Sequence, residues 1–205
     1  MQEIFYEESA KIQNEKSATI KYRLFQIFSI ISYVLLVGWI LFGILPYTPS
    51  GNVLLDILFL VIPLVMFFCS GFFLGRLKNK FYVDYDYTFV SGSIRFSKVI
   101  KNINRKFIIK FDSHEIEKLG KYGSETFEKY SQMPGISKSI LTSNYTPSEG
   151  KAFYYLIANT AGDKKLFIIE CSETFIFNIM KFANKSILDE EFVKEIVQSK
   201  KNKAQ

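Results

Sequence analysis

Two long apolar runs dominate the first part of the chain. Residues 24–46 carry no charge, and residues 53–75 carry a single one, Asp56. A helix rises about 1.5 Å per residue, so a run of this length reaches about 34 Å and covers a hydrocarbon core of about 30 Å. The pattern therefore predicts two transmembrane helices, at 24–46 and 53–75.

The connection between the two runs and the charges around them predict the orientation. Residues 47–52 are uncharged and rich in turn-forming residues, so the two helices should form an antiparallel hairpin. Basic residues flank its outer ends: Lys16, Lys21, Arg23, Arg76, Lys78 and Lys80. The positive-inside rule then places both flanks, and both chain termini, in the cytoplasm. The expected location is the cell membrane, in a multi-pass arrangement.

Polar and small residues interrupt the second run. Asp56 lies about one turn inside it, where a carboxylate either reaches interfacial water or has a function within the membrane. Gly71 and Gly75 have the GxxxG spacing that lets helix backbones approach closely. We assign this pair to helix packing, either against the first run or between two copies in a homo-oligomer.

After Lys80 the apolar period changes from continuous to alternating. Residues 83–89 alternate apolar and polar positions and predict a strand whose outward residues, Asp84 and Asp86, face solvent. Strands over 94–100 and 105–111 complete an antiparallel meander. Residues 121–150 contain many Pro, Gly, Ser, Thr and Asn residues and predict a long loop, with a short element near 136–141.

The pattern becomes regular again at residue 151. Strands over 152–158 and 164–170 form a hairpin, and Ser172 is a good N-cap for an amphipathic helix over about 173–187. A bent sheet whose apolar face is covered by this helix is the economical packing.

Three stretches carry a resemblance to a known family: DYDYTFVSGSIRFSKVI at 84–100, RKFIIKFDSHEIEKLG at 105–120 and AFYYLIANTAGDKKLFIIE at 152–170. With the final helix they resemble bacterial PH-like domains. More specifically, the chain resembles an uncharacterised bacterial family of two-helix membrane proteins with a cytoplasmic PH-like domain, and the N-terminal Ile4-Phe5-x-Glu7 also matches. The resemblance carries no activity and no functional residues.

The resemblance implies a fold class and a domain order. The fold is a membrane α-helical hairpin plus an α+β soluble domain, an antiparallel PH-like bent sheet or partly open barrel with a C-terminal amphipathic helix. Seven strands are expected, and the two not seen in the pattern should come from 112–150. The expected order is a cytoplasmic segment with an optional juxtamembrane helix, the hairpin, the cytoplasmic PH-like domain and a Lys-rich tail: residues 1–23, 24–75, 81–188 and 189–205.

A basic stretch is the candidate contact surface. The net charge of +6 is spread along the chain, which does not indicate nucleic acid as a partner. Within 95–110, however, six cations occur without an acidic residue: Arg95, Lys98, Lys101, Arg105, Lys106 and Lys110. Beside a bilayer, each could gain up to about 1 kcal/mol from anionic lipid head groups. A solvated surface, a membrane contact and a protein-partner surface remain open as interpretations.

Catalytic patterns are missing from the sequence. It contains no Walker-type loop, no GxSxG and no HExxH. His114 is the only histidine, so a cysteine nucleophile would require Cys171 to meet it, and no second histidine supports a metal site. We therefore assign no catalytic residue, cofactor or metal.

The predicted function is a membrane-anchored, non-enzymatic binding or scaffold module at the inner leaflet. Its expected partners are anionic lipid head groups or another membrane protein. The alternative is a small accessory subunit of a transporter or other membrane complex.

Overall fold

The computed structural model describes residues 4–160, 162–183, 187–189 and 192–193. The chain divides into two units. One is formed by residues 14–82, and the other by the segments before residue 14 and after residue 82.

The helical unit is a two-helix hairpin. Helix α1 spans Glu15–Trp39 and continues as a π-helical turn over Ile40–Ile44. Helix α2 spans Val53–Leu77 and ends in a 3-10 turn over Lys78–Lys80. The side chain of Asn14 caps α1 and that of Asn52 caps α2. The first helix therefore begins nine residues before the predicted span, because the cap precedes a polar turn that the hydropathy pattern does not include.

Both helices are long and apolar enough to cross a membrane. Only 6% of each apolar window is buried within the protein. The core helix of a soluble domain buries its apolar face against other elements. Because so little of these two helices is buried, they differ from the core helices of a soluble domain.

The first sheet of the other unit has four antiparallel strands. They are β1 Phe5–Ala10, β2 Val83–Val90, β3 Ser93–Ile100 and β4 Asn104–Asp112, in that spatial order. Strand β1 pairs with β2 from Phe5↔Val90 to Ala10↔Tyr85. The sequence analysis placed residues 1–23 in a separate segment, whereas the structure makes residues 5–10 a strand of this sheet. The helical hairpin is thus an insertion between two neighbouring strands.

The second sheet combines the predicted hairpin of 152–158 and 164–170 with two further strands. Its spatial order is β5 Ile116–Lys121, β7 Ala152–Thr160, β8 Asp163–Cys171 and β6 Ser137–Ile140, and β6 is parallel to β8. Strands β5 and β6 come from 112–150, and helix α3, Glu125–Ser131, lies between them in sequence. The predicted loop over 121–150 therefore contains helix α3 and strand β6, and β6 lies at the short element expected near 136–141.

Helix α4, Glu173–Phe182, supplies the apolar cover. Its residues Phe175, Ile176 and Ile179 are buried in the same core as residues of both sheets, such as Phe96 and Phe167. The helix ends five residues before the predicted end, because Ala183 has an extended backbone. Two open sheets and this helix form the expected PH-like arrangement. The predicted tail, 189–205, lies outside the described residues except for 189, 192 and 193.

Candidate functional site

The candidate basic residues lie on one β-hairpin. Strands β3 and β4 pair antiparallel and turn at Lys101 and Asn102, whose φ angles of 51° and 55° lie in the left-handed region. Two successive residues in that region are typical of a tight hairpin turn. The sequence window therefore becomes one compact surface element.

The hairpin does not present all six cations on one face. Arg95 is paired with Lys110, and Lys98 is paired with Lys106. Because side chains alternate along a strand, the Lys98–Lys106 pair shares its face with the core residue Phe96, while the Arg95–Lys110 pair lies on the outer face. Among the described residues, none of these four cations has an acidic partner.

Arg105 is neutralised by other strands. Its Nη2 lies 2.7 Å from Asp86 Oδ2 of β2 and 3.5 Å from Glu7 Oε1 of β1. The expectation that Asp84 and Asp86 are solvent carboxylates was wrong, since both are buried. Asp86 accepts a hydrogen bond from Ser9 Oγ, and Asp84 accepts one from the backbone N–H of Ile12. Strand β1 and the residues after it cover both carboxylates.

Large apolar side chains are exposed beside the cations. Ile103 is 73% exposed and Phe107 is 57% exposed, and Ile108 is also exposed. The guanidinium of Arg95 lies over the Phe107 ring, 5.3 Å from its centroid. Exposed apolar groups with lysines around them can enter a membrane interface or a protein partner.

A cavity of about 650 Å³ opens on the outer face of the same sheet. Its lining includes Arg95, Lys110, Arg105 and Glu7. Hydroxyl groups of Thr88, Ser93 and Ser97 and the apolar side chains of Phe5 and Val90 complete it. The cavity thus combines positive charge, hydrogen-bonding groups and an apolar wall.

The sequence analysis did not identify Glu170 as a buried, hydrogen-bonded carboxylate. Glu170 on β8 is fully buried and accepts hydrogen bonds from Thr142 Oγ1, Asn144 Nδ2 and both the backbone N–H and Oγ of Ser148. Asn144 Nδ2 also donates to the carbonyl of Lys11. Glu170 thus organises the loop before β7, which makes it a structural group. Glu170 lies at the end of an apolar strand, and nothing in the neighbouring sequence indicates which residues donate hydrogen bonds to it.

The residues considered for catalysis are not arranged for it. Cys171 is buried in the core, and burial, with a smaller effect of the nearby Glu8, raises the pKa of its thiol well above the usual value. A buried thiol with a raised pKa is a poor nucleophile. His114 is exposed on a 3-10 turn. Among the described residues, no group of three or more His, Cys, Asp or Glu side chains is placed to hold a metal ion.

In the helical unit, the GxxxG pair faces helix α1. Ser29 Oγ donates to the carbonyl of Gly71 at 2.8 Å, and a Cβ at Gly71 would lie 3.0 Å from the Tyr33 ring. A Cβ at Gly75 would lie 3.2 Å from Ser29 Oγ. The absence of side chains at both glycines lets α1 and α2 approach within one hairpin.

Asp56 belongs to the turn between the two helices. Its carboxylate accepts hydrogen bonds from Tyr47 Oη and from Ser50 Oγ and N–H. It also lies in the first turn of α2, where a negative charge is favoured by the helix dipole. These contacts support the interfacial interpretation of Asp56.

Comparison with known proteins gives one family match. The family described as Bacterial PH-like domain (DUF6106) matches residues 2–189, nearly the whole chain. No curated protein and no solved structure matches the chain. The match includes β1, the inserted hairpin and both sheets.

Proposed function

This chain belongs to the bacterial PH-like domain family, and from that premise we propose that it is a non-enzymatic binding module anchored in the bacterial cell membrane. PH-like domains are typically binding modules without catalytic activity. The two apolar helices supply the anchor, and the β3–β4 hairpin supplies a surface that contacts the inner leaflet.

The pairing of β1 with β2 is the observation that carries the anchoring proposal. Strand β1 precedes the helical hairpin and β2 follows it, and the two pair along six residues. A hydrogen-bonded sheet forms in one compartment, so both ends of the hairpin must lie on the same side of the membrane. Two complete membrane crossings produce this arrangement. The argument from strand pairing is independent of the distribution of lysine and arginine residues around the hairpin.

Charge then favours the cytoplasmic side. Lysine and arginine residues flank both outer ends of the hairpin, and the turn at 47–52 has no charge. A cleavable signal in place of α1 is disfavoured, because cleavage after it would remove β1 from the sheet. Along the chain, residues 81 and 82 alone separate the Lys78–Lys80 turn from β2, so the link between the two units is short.

The β3–β4 hairpin has the composition of an interfacial contact. Lys98 and Lys106 have no acidic partner among the described residues, and Ile103 at the turn is largely exposed. Lysines near an anionic surface gain up to about 1 kcal/mol each, and an apolar residue between them can enter the head-group region.

Hydrogen exchange in lipid nanodiscs tests this contact. Full-length protein in nanodiscs of phosphatidylcholine alone is compared with protein in nanodiscs that also contain phosphatidylglycerol. We expect slower amide exchange at residues 100–104 in the anionic discs, an effect that weakens at high salt because exposed charges are screened. The double variant Lys98→Gln/Lys106→Gln should lose the difference.

The control removes equal charge elsewhere. Lys129 and Lys138 are exposed on α3 and β6, so Lys129→Gln/Lys138→Gln should retain the lipid effect. Equal exchange at 100–104 in both kinds of disc would contradict the inner-leaflet contact.

One observation favours the accessory-subunit alternative. Gly38 on α1 has open space where a side chain would be, with nothing within 4 Å, so another helix could approach it closely. In-cell crosslinking from a photoreactive residue at position 34, one turn away on the same helix, distinguishes an accessory subunit from a binding module that contacts only lipid. Reproducible capture of one membrane protein, lost in Gly38→Leu, would support the alternative, and capture of lipid alone would count against it.

A further inference from the structure

The outer face of the first sheet holds two like charges in opposition. Arg95 and Lys110 are directly paired across β3 and β4. Like charges at such positions destabilise a sheet. Asp86 and Glu7 are engaged by Arg105. Asp112, which pairs with Ser93 on the same hairpin, caps the 3-10 turn that follows β4. Among the described residues, neither Arg95 nor Lys110 therefore has an ion-pair partner.

Both charges line the cavity of about 650 Å³ described above. Its size lies within the range of about 300–1,000 Å³ that is usual for small-molecule sites. An arginine fork and a lysine ammonium can together hold several oxygens of one anionic group. The charges are thus placed for a bound anion rather than for bulk solvent alone.

A hydroxyl group in the cavity also lacks a partner. Ser93 Oγ is buried, and no hydrogen-bond partner for it exists among the described residues. Buried polar atoms are normally satisfied, and an unsatisfied one lining a cavity indicates a site for a ligand oxygen. Ser93 is two residues from Arg95, so both lie on the same face of β3.

The cavity wall limits the kind of anion. Phe5 is 64% exposed and Val90 is 42% exposed at this surface. These apolar side chains would contact an organic group attached to the anion. A phosphate monoester carries a charge of about −1.5 to −2 at neutral pH, which matches the two unpaired cations.

We infer that this cavity binds a phosphate group carried on an organic moiety, held by Arg95, Lys110 and Ser93. The source is a soluble phosphate ester or a lipid head group. The inference deepens the proposed binding function by naming the ligand chemistry. It does not involve the Lys98–Lys106 pair that carries the inner-leaflet contact.

Calorimetric titration of the full-length protein in phosphatidylcholine nanodiscs tests the soluble source. The probes are phenyl phosphate and inorganic phosphate. We expect phenyl phosphate to bind more tightly, and Arg95→Gln/Lys110→Gln to weaken it at least tenfold. Ser93→Ala should weaken it less, and Lys129→Gln/Lys138→Gln should leave it unchanged.

Thermal unfolding of the same variants excludes a purely structural effect. Because Arg95→Gln/Lys110→Gln removes opposed like charges, the free variant should unfold at a higher temperature than the wild type. It should also lose the stabilisation that phenyl phosphate gives the wild type. A variant that simply fails to fold would unfold at a lower temperature, and the single change Lys110→Gln would then replace it.

The lipid source is tested in nanodiscs that contain phosphatidic acid, whose head group is a phosphate monoester. Slower exchange at residues 93–97 in these discs, abolished by Arg95→Gln/Lys110→Gln and retained in Lys98→Gln/Lys106→Gln, assigns the site to lipid. Phenyl phosphate binding that the Arg95/Lys110 variant abolishes assigns it to a soluble ester. Neither response, or responses that this variant does not change, would overturn the inference even if residues 100–104 contact the bilayer.

Discussion

At the scale of single residues, Glu170 shows how this domain accommodates a buried charge. No cation pairs with its carboxylate among the described residues. Burial on its own would raise the pKa of the Glu170 carboxyl. Hydrogen bonds from Ser148, Thr142 and Asn144 outweigh burial and hold the pKa below its usual value. The ionised form is therefore the one that the fold stabilises.

A pH dependence of stability follows from this lowered pKa. A carboxylate with a lower pKa in the folded state stabilises the fold above its ordinary pKa of 4.5. That contribution is lost as the pH falls through the folded value. Glu170→Gln should destabilise the β-rich unit by about 2 kcal/mol at pH 7, because donors around it lose an ionised acceptor. The difference from the wild type should shrink below pH 4.

Thermal unfolding of the detergent-solubilised chain, followed by circular dichroism between pH 7 and pH 3, measures this effect. The matched variant is Glu128→Gln, which changes an exposed carboxylate on α3 and should alter stability little. A Glu170→Gln penalty that is the same at pH 3 as at pH 7 would show that charge is not the stabilising feature.

Charge pairing at this scale was poorly predictable from the sequence. The window 95–110 contains no acidic residue, so Arg105 looked as unpaired as Arg95. Its partners are Asp86 and Glu7, which strand pairing brings next to it from β2 and β1. The residues next to Arg105 in sequence do not indicate its ion-pair partners, because in a sheet those partners lie on other strands.

At the scale of elements, helix packing in the hairpin depends on small residues at one contact. Gly71→Ile would place a branched side chain against Tyr33, where even a Cβ would lie at 3.0 Å. We expect the helices to separate and the Ser29–Gly71 hydrogen bond to weaken. Thermal stability of the hairpin in detergent should fall by about 1–3 kcal/mol, as in other overpacked contacts.

Gly38→Ile is the matched control for Gly71→Ile. It makes the same substitution on α1, at a position where a Cβ meets nothing within 4 Å. Its effect on hairpin stability in detergent should be small. If both variants behaved alike, the close approach at Gly71 would not be what holds the two helices together.

Helices and strands with a regular spacing of apolar residues were predictable from the sequence. Elements in which polar residues interrupt that spacing were not. Both helices and the strands β2, β3, β4, β7 and β8 follow from continuous or alternating apolar positions. Strand β1 was missed because Glu8 lies at a position that would be apolar in a simple pattern. In the structure Glu8 forms an ion pair with Lys151 Nζ and accepts hydrogen bonds from the N–H and hydroxyl of Ser172, the N-cap of α4. Strand β6 lies at the short element expected near 136–141, but with four residues it is too short to show the period of a strand.

At the scale of the whole molecule, the defining feature is the place of the apolar helical hairpin within the chain. It interrupts the first sheet between β1 and β2 rather than preceding a complete domain. Assembly of the sheet therefore requires the segments on both sides of the hairpin to meet in one compartment. A protein with a single membrane crossing could not form this sheet from one chain.

Cysteine accessibility in intact bacterial cells tests this account most directly. Single cysteines are introduced at Phe5, Thr48 and Ile103, all exposed side chains, and treated with a membrane-impermeant maleimide. Unsubstituted protein, with its native Cys69 and Cys171, gives the background. We predict labelling of Thr48→Cys in intact cells, and labelling of Phe5→Cys and Ile103→Cys only after lysis. Labelling of Phe5→Cys and Ile103→Cys from opposite sides of the membrane, or of both in intact cells, would contradict the account.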